Sequence, residues 1–370
     1  MAQQAELTLQ EALGAFDFGA RAPRAARYGE GHINDTFLVE GGAKRFILQR
    51  VSSAAFKEPD KLMENIVNVT DYLGREIERQ GGDPSRETLT VVRTRQGGSS
   101  FTDSQGGVWR LFPFVEGTVC YQAAETPELF AASGRAFGRF QRLLRDFPAH
   151  TLHDTIPHFH DTEDRLRKFK EAVAADPLGR AADCQEDIAF VLAREKDCST
   201  ALQAQREGVL PLRVTHNDTK LNNVLMDART GQALCVIDLD TVMPGLSIND
   251  FGDSIRFGAN HNAEDEPDLS KVKFDLGLFS VYTAAFLEEA GQALTEAEVR
   301  YLPWGAKLMT LECGTRFLTD HLEGDGYFHI SRPGQNLDRA RTQFKLVSDM
   351  EAVWEEMNAI AARHLPPKNG

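Results

Sequence analysis

The chain has 370 residues, which is more than one simple hydrophobic core needs, and its length predicts two lobes or domains. The formal net charge of −14 argues against a nucleic acid or an anionic membrane as the main partner, and an anionic ligand would depend on a metal ion and a few local Lys or Arg residues. An apolar content of 42% and a charged content of 26% are typical of a soluble globular protein.

The cysteines and the apolar stretches indicate the expected compartment. The five cysteines are scattered and none forms a C-x-x-C pair, which argues against a disulfide framework or a zinc site and favours a reducing compartment. The N-terminus has no basic region followed by an apolar run, and the longest apolar stretch, 276–287, is too short to span a bilayer. We therefore expect a cytoplasmic protein without a membrane partner.

The N-terminal part of the chain begins with a short polar helix and an irregular segment, which together fill residues 1–24. A glycine-bearing turn at 28–36 then runs into a strand. The Gly41-Gly42 pair follows this strand and is flanked on its other side by an apolar run at 45–51. Two apolar runs around a glycine pair predict a β-hairpin.

An amphipathic helix and two more strands complete a small predicted lobe. Apolar residues recur at steps of three and four and predict the helix: Leu62, Ile66, Val69, Leu73 and Ile77. The strands are predicted at 89–92 and 108–115, and Pro113 argues that the second of them lies at an edge or ends there. The order strand, strand, helix, strand, strand predicts an α+β lobe over residues 1–116, which we expect to bind nucleotide.

Residues 117–370 predict a larger, mainly helical lobe that carries catalysis and substrate binding. Its helix candidates are 129–144, 163–173, 188–202, 273–288, 296–311 and 339–363. Short buried strands are predicted between them at 224–225 and 234–237. The lobe boundary is expected in the connector at 114–118.

Ionisable and amide side chains cluster beside these two short strands. Buried strands do not normally carry so many such groups, because each must be paired or must hold a cation. Asp218 is followed by Lys220, by Asn223 and, after a hairpin, by Asp238. This spacing is typical of kinase-like sites, in which one Asp meets the acceptor hydroxyl while an Asn and a second Asp hold Mg²⁺ on the nucleotide.

Three motifs follow one another in this region: Asn217-Asp218-x-Lys220-x-x-Asn223, Ile237-Asp238-Leu239-Asp240 and Asp250-Phe251-Gly252-Asp253. In this order they resemble the aminoglycoside phosphotransferase and choline kinase superfamily of small-molecule kinases. The resemblance implies a two-lobed protein-kinase-like fold, with a small N-terminal antiparallel-sheet lobe and a larger helical lobe.

Further motifs carry a closer likeness: Gly31-His32-Ile33-Asn34, Leu48-Gln49-Arg50-Val51, Leu62-Met63-x-Asn65-Ile66, Trp109-Arg110, Glu116-Gly117, His216 to Leu225 and Ile237 to Gly245. These look like the N-acetylhexosamine 1-kinases. That group phosphorylates the anomeric hydroxyl of N-acetylglucosamine and N-acetylgalactosamine with ATP and Mg²⁺. The resemblance therefore implies a sugar 1-kinase with ATP as co-substrate.

The resemblance also implies a role for each residue of the central motif. Asp218 orients the acceptor hydroxyl and takes its proton, and Lys220 stabilises charge on the transferring phosphoryl group. Asn223 and Asp238 supply oxygen ligands of the kind that Mg²⁺ prefers. Asp240 is either a group that orients the metal or an ordinary carboxylate at a strand end.

Two further residues of this region are expected to support the catalytic loop. His216 occupies a place where related kinases also carry His, and we expect its ring to brace the loop rather than to act as an acid or base. Asp250 resembles the Asp that accepts hydrogen bonds from the backbone of the catalytic loop in kinase-like folds. A helix N-cap before Phe251 is the alternative for Asp250.

The nucleotide is expected to meet two parts of the small lobe. The strand after the glycine pair offers Gln49 and then Arg50 where related kinases offer Lys to the phosphates, and strand alternation lets only one of them face the cleft. The adenine-binding hinge is expected at Phe112, Phe114 and Val115, through backbone groups and apolar side chains.

The sugar contacts are implied by resemblance alone. His32 and Asn34 look like residues that reach the sugar from the small lobe, and Arg316 and Tyr327 look like contacts to the N-acetylhexosamine from the large lobe. Asp218 completes this set. Neutral sugars are bound by planar hydrogen-bonding groups and by aromatic faces against C–H patches, which suits these residue types.

Two alternatives remain open from the sequence. One is a kinase of another alcohol, such as an amino alcohol, an aminoglycoside or homoserine, whose cationic acceptor would favour an acidic pocket. The other is a regulatory pseudokinase that binds nucleotide without transferring phosphate. We expect a monomer whose partners are ATP and a small-molecule sugar, with no nucleic acid.

Overall fold

The computed structural model describes residues 2–19, 22–29 and 33–365. The chain forms two compact units. The first unit consists of Met1–Val119, Asp146–Ile156 and Leu225–Met243, and the second of Cys120–Arg145, Pro157–Val224 and Pro244–Gly370. The first unit contains a five-stranded antiparallel sheet with helices, and the second unit is mainly helical, so the predicted α+β class is confirmed.

The regular elements are named here in chain order. The elements up to residue 206 are α1 (Ala2–Ala15), β1 (Arg24–Arg27), β2 (Asp35–Gly41), β3 (Lys44–Arg50), α2 (Pro59–Arg79), α3 (Pro84–Glu87), β4 (Phe101–Thr102), β5 (Val108–Pro113), β6 (Thr118–Val119), α4 (Pro127–Leu143), α5 (Thr162–Ala175), α6 (Gln185–Leu192) and α7 (Thr200–Arg206). The remaining elements are β7 (Arg213–Thr215), β8 (Val224–Asp227), β9 (Ala233–Val236), β10 (Met243–Gly245), α8 (Ser247–Gly258), α9 (Leu276–Ala290), α10 (Glu296–Glu323), α11 (Gln335–Ala352) and α12 (Trp354–Ala362).

A five-stranded antiparallel sheet with the order β1-β2-β3-β5-β4 forms the centre of the first unit. The predicted hairpin is confirmed, because β2 pairs with β3 across the glycine turn and sets Thr36 opposite Gln49. The next ladder sets Gln49 opposite Arg110 of β5. The sheet and α1 share a core made of Ala12, Leu13, Phe16, Phe18, Val39, Phe46, Leu48, Trp109 and Leu111.

Helix α2 buries the apolar face that its periodicity predicts, since Leu62, Ile66, Val69, Leu73 and Ile77 are all buried. A buried amide on this face, Asn65, joins three segments of the first unit. Its Nδ2 donates to the carbonyl oxygens of His153 at 2.8 Å and Val242 at 3.0 Å, and its Oδ1 accepts from the backbone N–H of His153 at 2.9 Å. Every hydrogen-bonding group of the amide is thus engaged with backbone that lies far away in sequence.

Helix α10 is the longest helix of the second unit and runs through its core. It begins at a capping box on Thr295 and ends at Gly324, whose φ of 114° lies in the left-handed region. The core around α10 contains Leu166, Phe169, Ala172, Ile188, Val191, Leu311, Phe317, Leu318, Leu322, Phe344 and Val347. No helix in the described part of the chain is long and apolar enough to cross a membrane.

The prediction of a strand at 89–92 was wrong. This segment makes one backbone bond to the sheet, from Val92 N to Leu111 O, and forms no ladder. The edge of β5 is instead occupied by the short strand β4, in which Phe101 lies opposite Trp109. Because β4 has only two residues, sequence periodicity could not reveal it.

Three predicted helices differ clearly from the structure, because two are broken and one is longer than predicted. The candidate at 188–202 is broken into α6 and α7, because i→i+3 bonds such as Arg194 N to Val191 O tighten the chain after α6. The candidate at 339–363 is broken at Val353, whose φ of −117° is not helical. The candidate at 296–311 continues to Glu323, so that Arg316 lies on α10.

Close packing of α8 against α10 generates a stability prediction. A Cβ atom on Gly305 would lie 2.1 Å from the carbonyl oxygen of Ile248, and one on Gly252 would lie 2.2 Å from that of Gly305. Both obstacles are backbone atoms, which cannot move aside as a side chain can. We expect Gly305→Ala to destabilise the protein by about 1–3 kcal/mol, measured by thermal or urea unfolding.

The matched control is Gly326→Ala in the same unit, since a Cβ atom there would have nothing within 4 Å. Its unfolding midpoint should equal that of the wild type. A Gly305→Ala protein as stable as this control would contradict the close helix contact.

Candidate active site

The loop that follows β7 brings three of the predicted catalytic residues together. Lys220 Nζ lies 2.9 Å from Asp218 Oδ1, and Asn223 Nδ2 donates to Asp218 Oδ2 at 3.1 Å. The same Nδ2 donates to the carbonyl oxygen of Asp218 at 2.8 Å. Each carboxylate oxygen of Asp218 therefore has its own cationic or amide donor, which fixes the orientation of the carboxylate.

Two buried carboxylates of α8 hold the backbone of this loop. Asp250 accepts from the N–H groups of His216 at 2.9 Å and Asn217 at 2.8 Å, and Asp253 accepts from that of Thr219 at 2.9 Å. The predicted role of Asp250 as acceptor for the catalytic-loop backbone is confirmed. The N-cap alternative is wrong, because Leu246 occupies that position of α8.

The loop needs these anchors because its backbone is unusual. Asn217 has a φ of 64°, in the left-handed region that Asn tolerates better than most residues. Beside it, the ring of His216 is fully buried and meets Phe137 and Phe140 edge-to-face, while its Nδ1 accepts from the N–H of Asp218 at 3.3 Å. These contacts support the expected bracing role of His216.

Burial and charge act in opposite directions on the titratable groups around the loop. Burial raises the pKa of Asp250, and the loop N–H groups that it accepts from only partly oppose this rise. Burial would also raise the pKa of Asp253, but the charges of Arg256 and Lys220 lower it below its ordinary value. For Lys220, burial is outweighed by the carboxylates of Asp218 and Asp253, which raise its pKa, so the side chain stays an ammonium.

A buried histidine that the sequence pattern did not single out supports the same loop. His160 Nε2 lies 3.1 Å from the carbonyl oxygen of Asn217, and its Nδ1 lies 3.2 Å from Glu312 Oε1. Both ring nitrogens face acceptors, so both carry a proton and the ring is an imidazolium. Burial would lower the pKa of His160, but the hydrogen bond and charge of Glu312 outweigh it and raise the pKa.

The predicted sugar contacts of the second unit also lie together. The guanidinium carbon of Arg316 lies 5.8 Å from the ring centre of Tyr327 and 5.2 Å from that of Phe328. Asp320 holds this loop by accepting from the N–H groups of Tyr327 at 2.8 Å and Phe328 at 2.9 Å. Tyr327 itself is 75% exposed, so its ring is available to a ligand.

In the first unit, Asp240 is the centre of a buried polar cluster. Arg110 forms an ion pair with Asp240 in which both side chains are almost fully buried. Asn34 Nδ2 donates to Asp240 Oδ2 at 2.6 Å, and Asn34 Oδ1 accepts from the N–H of Ser52 at 2.9 Å. Asp240 thus has a structural role in this unit. The role of Asn34 in sugar binding stays a prediction, and His32 lies outside the described residues.

The two predicted phosphate contacts of β3 have partners within the first unit. Gln49 Oε1 accepts from Arg110 Nε at 3.0 Å and Nη2 at 2.8 Å, and its Nε2 donates to Thr36 Oγ1 at 3.2 Å. Arg50 Nε lies 3.4 Å from Asp103 Oδ2, and its guanidinium lies over the ring of Trp109. Contact of either residue with phosphate stays a prediction.

The predicted hinge residues lie at the end of β5 and just beyond it. The side chains of Phe112 and Val115 are buried, and that of Phe114 is half-buried. The Phe114 ring lies 4.1 Å from the guanidinium carbon of Arg45 and 6.0 Å from the ring of Tyr28. Nucleotide binding by these residues stays a prediction.

The chemistry of Asp238 and Asn223 fits a divalent cation. Asp238 is exposed two residues after the end of β9 and has a φ of 60°, a strained conformation of the kind that clusters at functional sites. The amide nitrogen of Asn223 is directed to Asp218, which leaves its oxygen as the atom suited to a metal. Among the described residues, no group of three or more His, Cys, Asp or Glu could hold a metal ion.

Comparison with known proteins identifies the family. The model of the phosphotransferase enzyme family, APH, matches residues 24–285. The chain belongs to this family. The match spans the antiparallel sheet, the loop after β7 and both buried carboxylates of α8.

Solved structures similar to this phosphotransferase confirm the predicted protein-kinase-like fold. A microcompartment-associated aminopropanol kinase has 18% identity and a TM-score of 0.57, with 95% of this chain and 98% of that chain covered. An amicoumacin kinase in complex with AMP-PNP, Ca²⁺ and its ligand Ami has 14% identity and a TM-score of 0.58, with 93% and 96% covered. An aminoglycoside phosphotransferase from Alicyclobacillus acidocaldarius has 14% identity and a TM-score of 0.59, with 96% of each chain covered.

The ion pair of His160 with Glu312 generates a prediction about how stability depends on pH. Because the pKa of His160 is raised on folding, its contribution to stability is complete below the ordinary pKa of 6.5 and is lost as pH rises through the higher folded value. We expect the difference in free energy of unfolding between wild type and His160→Asn to shrink across that interval. Urea unfolding at a series of pH values measures it.

The control for this prediction is His158→Asn, two residues earlier. His158 has the same left-handed backbone, with a φ of 57° against 54° for His160, but its side chain is 59% exposed. A His160→Asn protein that follows the same pH course as this control would show that the imidazolium has no such role.

Proposed function

We propose that the protein is an ATP- and Mg²⁺-dependent kinase that phosphorylates the anomeric hydroxyl of N-acetylhexosamines to give the sugar 1-phosphate. The observation that carries the phosphoryl-transfer part is the loop in which Asp218 is oriented by Lys220 and Asn223. The family match supports ATP and a divalent cation, as do the AMP-PNP and Ca²⁺ bound to the similar amicoumacin kinase. The sugar rests on the resemblance to N-acetylhexosamine 1-kinases.

In the proposed mechanism, Asp218 accepts the proton of the anomeric hydroxyl and directs its oxygen at the γ-phosphoryl group. The transition state is loose, so orientation and charge stabilisation supply most of the rate. A carboxylate is a weak base, which suits a late proton transfer. Asp250 and Asp253 serve this step indirectly, because they hold the backbone on both sides of Asp218.

Lys220 and the metal ligands act on the phosphate. The ammonium group of Lys220 stays charged and stabilises the negative charge of the transferring group. Asn223 and Asp238 are the proposed ligands of Mg²⁺. When held there, Mg²⁺ would neutralise negative charge on the phosphates of the nucleotide.

The second unit offers acceptor contacts that suit a sugar. The exposed ring of Tyr327 provides a face for sugar C–H groups, and Arg316 provides donors for hydroxyl or carbonyl oxygens. A half-buried guanidinium is a poor neighbour for the ammonium groups of aminoglycosides or amino alcohols. The positive charge of Arg316 therefore favours a sugar over the amino alcohols and aminoglycosides for which the similar kinases are named.

The first test addresses the catalytic base. We expect Asp218→Asn to keep the fold and nucleotide affinity, because the amide retains the shape of the carboxylate, but to lower turnover by about 10²–10⁴-fold. Titration calorimetry with ATP and an assay of ADP release measure the two properties. Asp183→Asn, at an exposed position of the same unit, should match the wild type in both. Near-normal turnover of Asp218→Asn would exclude Asp218 as the base.

The second test addresses the acceptor. In a screen of N-acetylglucosamine, N-acetylgalactosamine, choline and an aminoglycoside, we expect ADP release with at least one of the two sugars and phosphorus NMR signals of a phosphate on C1. Transfer to choline or the aminoglycoside alone would make the protein a kinase of cationic alcohols. Nucleotide binding without transfer to any acceptor would favour a regulatory pseudokinase.

A further inference from the structure

Two half-buried arginines of the second unit lack acidic partners. Among the described residues, Arg165 of α5 and Arg316 of α10 show no side-chain hydrogen bond or ion pair, and the Nε of Arg165 is buried without an acceptor. The other described arginines without such a partner are exposed: Arg24, Arg75, Arg93, Arg229 and Arg363. In a chain of net charge −14, half-buried guanidinium groups without counterions are unexpected unless a ligand meets them.

The packing of α5 beside α10 places the two arginines at the same height along the two helix axes. The hydroxyl of Thr162 donates to Glu312 Oε2 at 3.1 Å, and further along the chain Arg180 donates to the carbonyl oxygen of His321 at 2.6 Å. The two segments therefore run side by side in the same direction. Arg165 and Arg316 each lie one helical turn beyond the contact of Thr162 with Glu312.

The acidic group on which both arginines act by their charge, Glu312, already has other partners. Glu312 already accepts from the imidazolium of His160 and from Thr162. Both arginines lower the pKa of Glu312 by their charge, which agrees with their position near it. Because His160 already offsets the charge of Glu312, the two guanidinium groups add positive charge to this surface.

This positive surface lies next to the catalytic loop and the proposed sugar loop. His160 connects Glu312 to the carbonyl oxygen of Asn217, the residue before Asp218. On the other side, Arg316 lies over Tyr327 and Phe328. Because Arg165 and Arg316 lie one turn beyond the same contact of Thr162 with Glu312, we expect an acceptor group that reaches Arg316 to lie close to Arg165 as well.

We propose that Arg165 is a specificity residue that joins Arg316 in an acceptor subsite for a neutral or anionic oxygen-bearing substituent and that this subsite excludes cationic acceptors. The inference rests on the proposed sugar kinase and deepens it. Carbonyl, sulfo and carboxylate oxygens accept hydrogen bonds from the planar guanidinium forks, whereas an ammonium group has no acceptor and is repelled.

The test varies the charge of one sugar substituent while the rest of the acceptor stays the same. N-sulfoglucosamine, N-acetylglucosamine and glucosamine, used below the pKa of its amine, carry an anionic, a neutral and a cationic group at C2. We expect kcat/KM of the wild type to be highest for the first two and lowest for glucosamine. Arg165→Gln should reduce the preference for N-sulfoglucosamine over glucosamine by a factor of ten or more, mainly through KM.

Two further variants separate charge from structure. Arg165→Lys keeps the positive charge and should retain most of the preference. Arg167→Gln removes an exposed arginine of the same helix, which pairs with Asp164 and Glu171, and should leave the preference unchanged. If Arg165→Gln and Arg167→Gln show the same preference as the wild type, the specificity role of Arg165 is overturned while the sugar kinase stands.

Binding without nucleotide distinguishes failure of the inference from failure of the proposed function. Titration calorimetry should show that the wild type binds N-sulfoglucosamine and that Arg165→Gln binds it at least ten times more weakly. If no sugar is phosphorylated but this binding difference is found, the sugar 1-kinase is wrong and the anion-binding subsite stands. Efficient transfer to glucosamine or choline in the wild type would overturn the inference.

Discussion

The carboxylate of Asp250 is the constraint on which the catalytic loop depends. It is fully buried, and its two oxygens accept from the N–H groups of His216 and Asn217. An uncompensated charge at this depth would cost several kcal/mol, so the loop must stay where its N–H groups can solvate the carboxylate. The same bonds hold Asn217 in its left-handed conformation and so determine the direction in which the side chain of Asp218 points.

A second constraint is the distribution of charge within the second unit. Acidic groups close to the loop are compensated by Lys220, Arg256 and His160. Among the described residues, the half-buried arginines without a carboxylate partner of their own are Arg165 and Arg316. They lie where α5 packs beside α10, one turn from the pair of His160 with Glu312. The unit thus combines a loop of compensated charges around Asp218 with the positive charge of the proposed acceptor subsite, although the whole chain is strongly acidic.

The sequence predicted those parts that depend on local pattern. The buried face of α2 follows from the spacing of Leu62 to Ile77, and the catalytic loop follows from the spacing of Asp218 and Asn223. Contacts between distant positions could not be predicted, because no local signal connects His160 to Glu312, 152 residues later, or Gln49 to Arg110. The prediction of a strand at 89–92 was wrong for a similar reason, because tertiary pairing decides which segment occupies a sheet edge.

The amide of Asn65 has a consequence for any attempt to divide the chain. Its three hydrogen bonds reach His153 and Val242, which belong to the separate segments 146–156 and 225–243 of the first unit. A fragment that ends near residue 119 would leave this buried amide without its partners. The small sheet unit is therefore not an independent module, and its folding is tied to synthesis of the chain beyond residue 243.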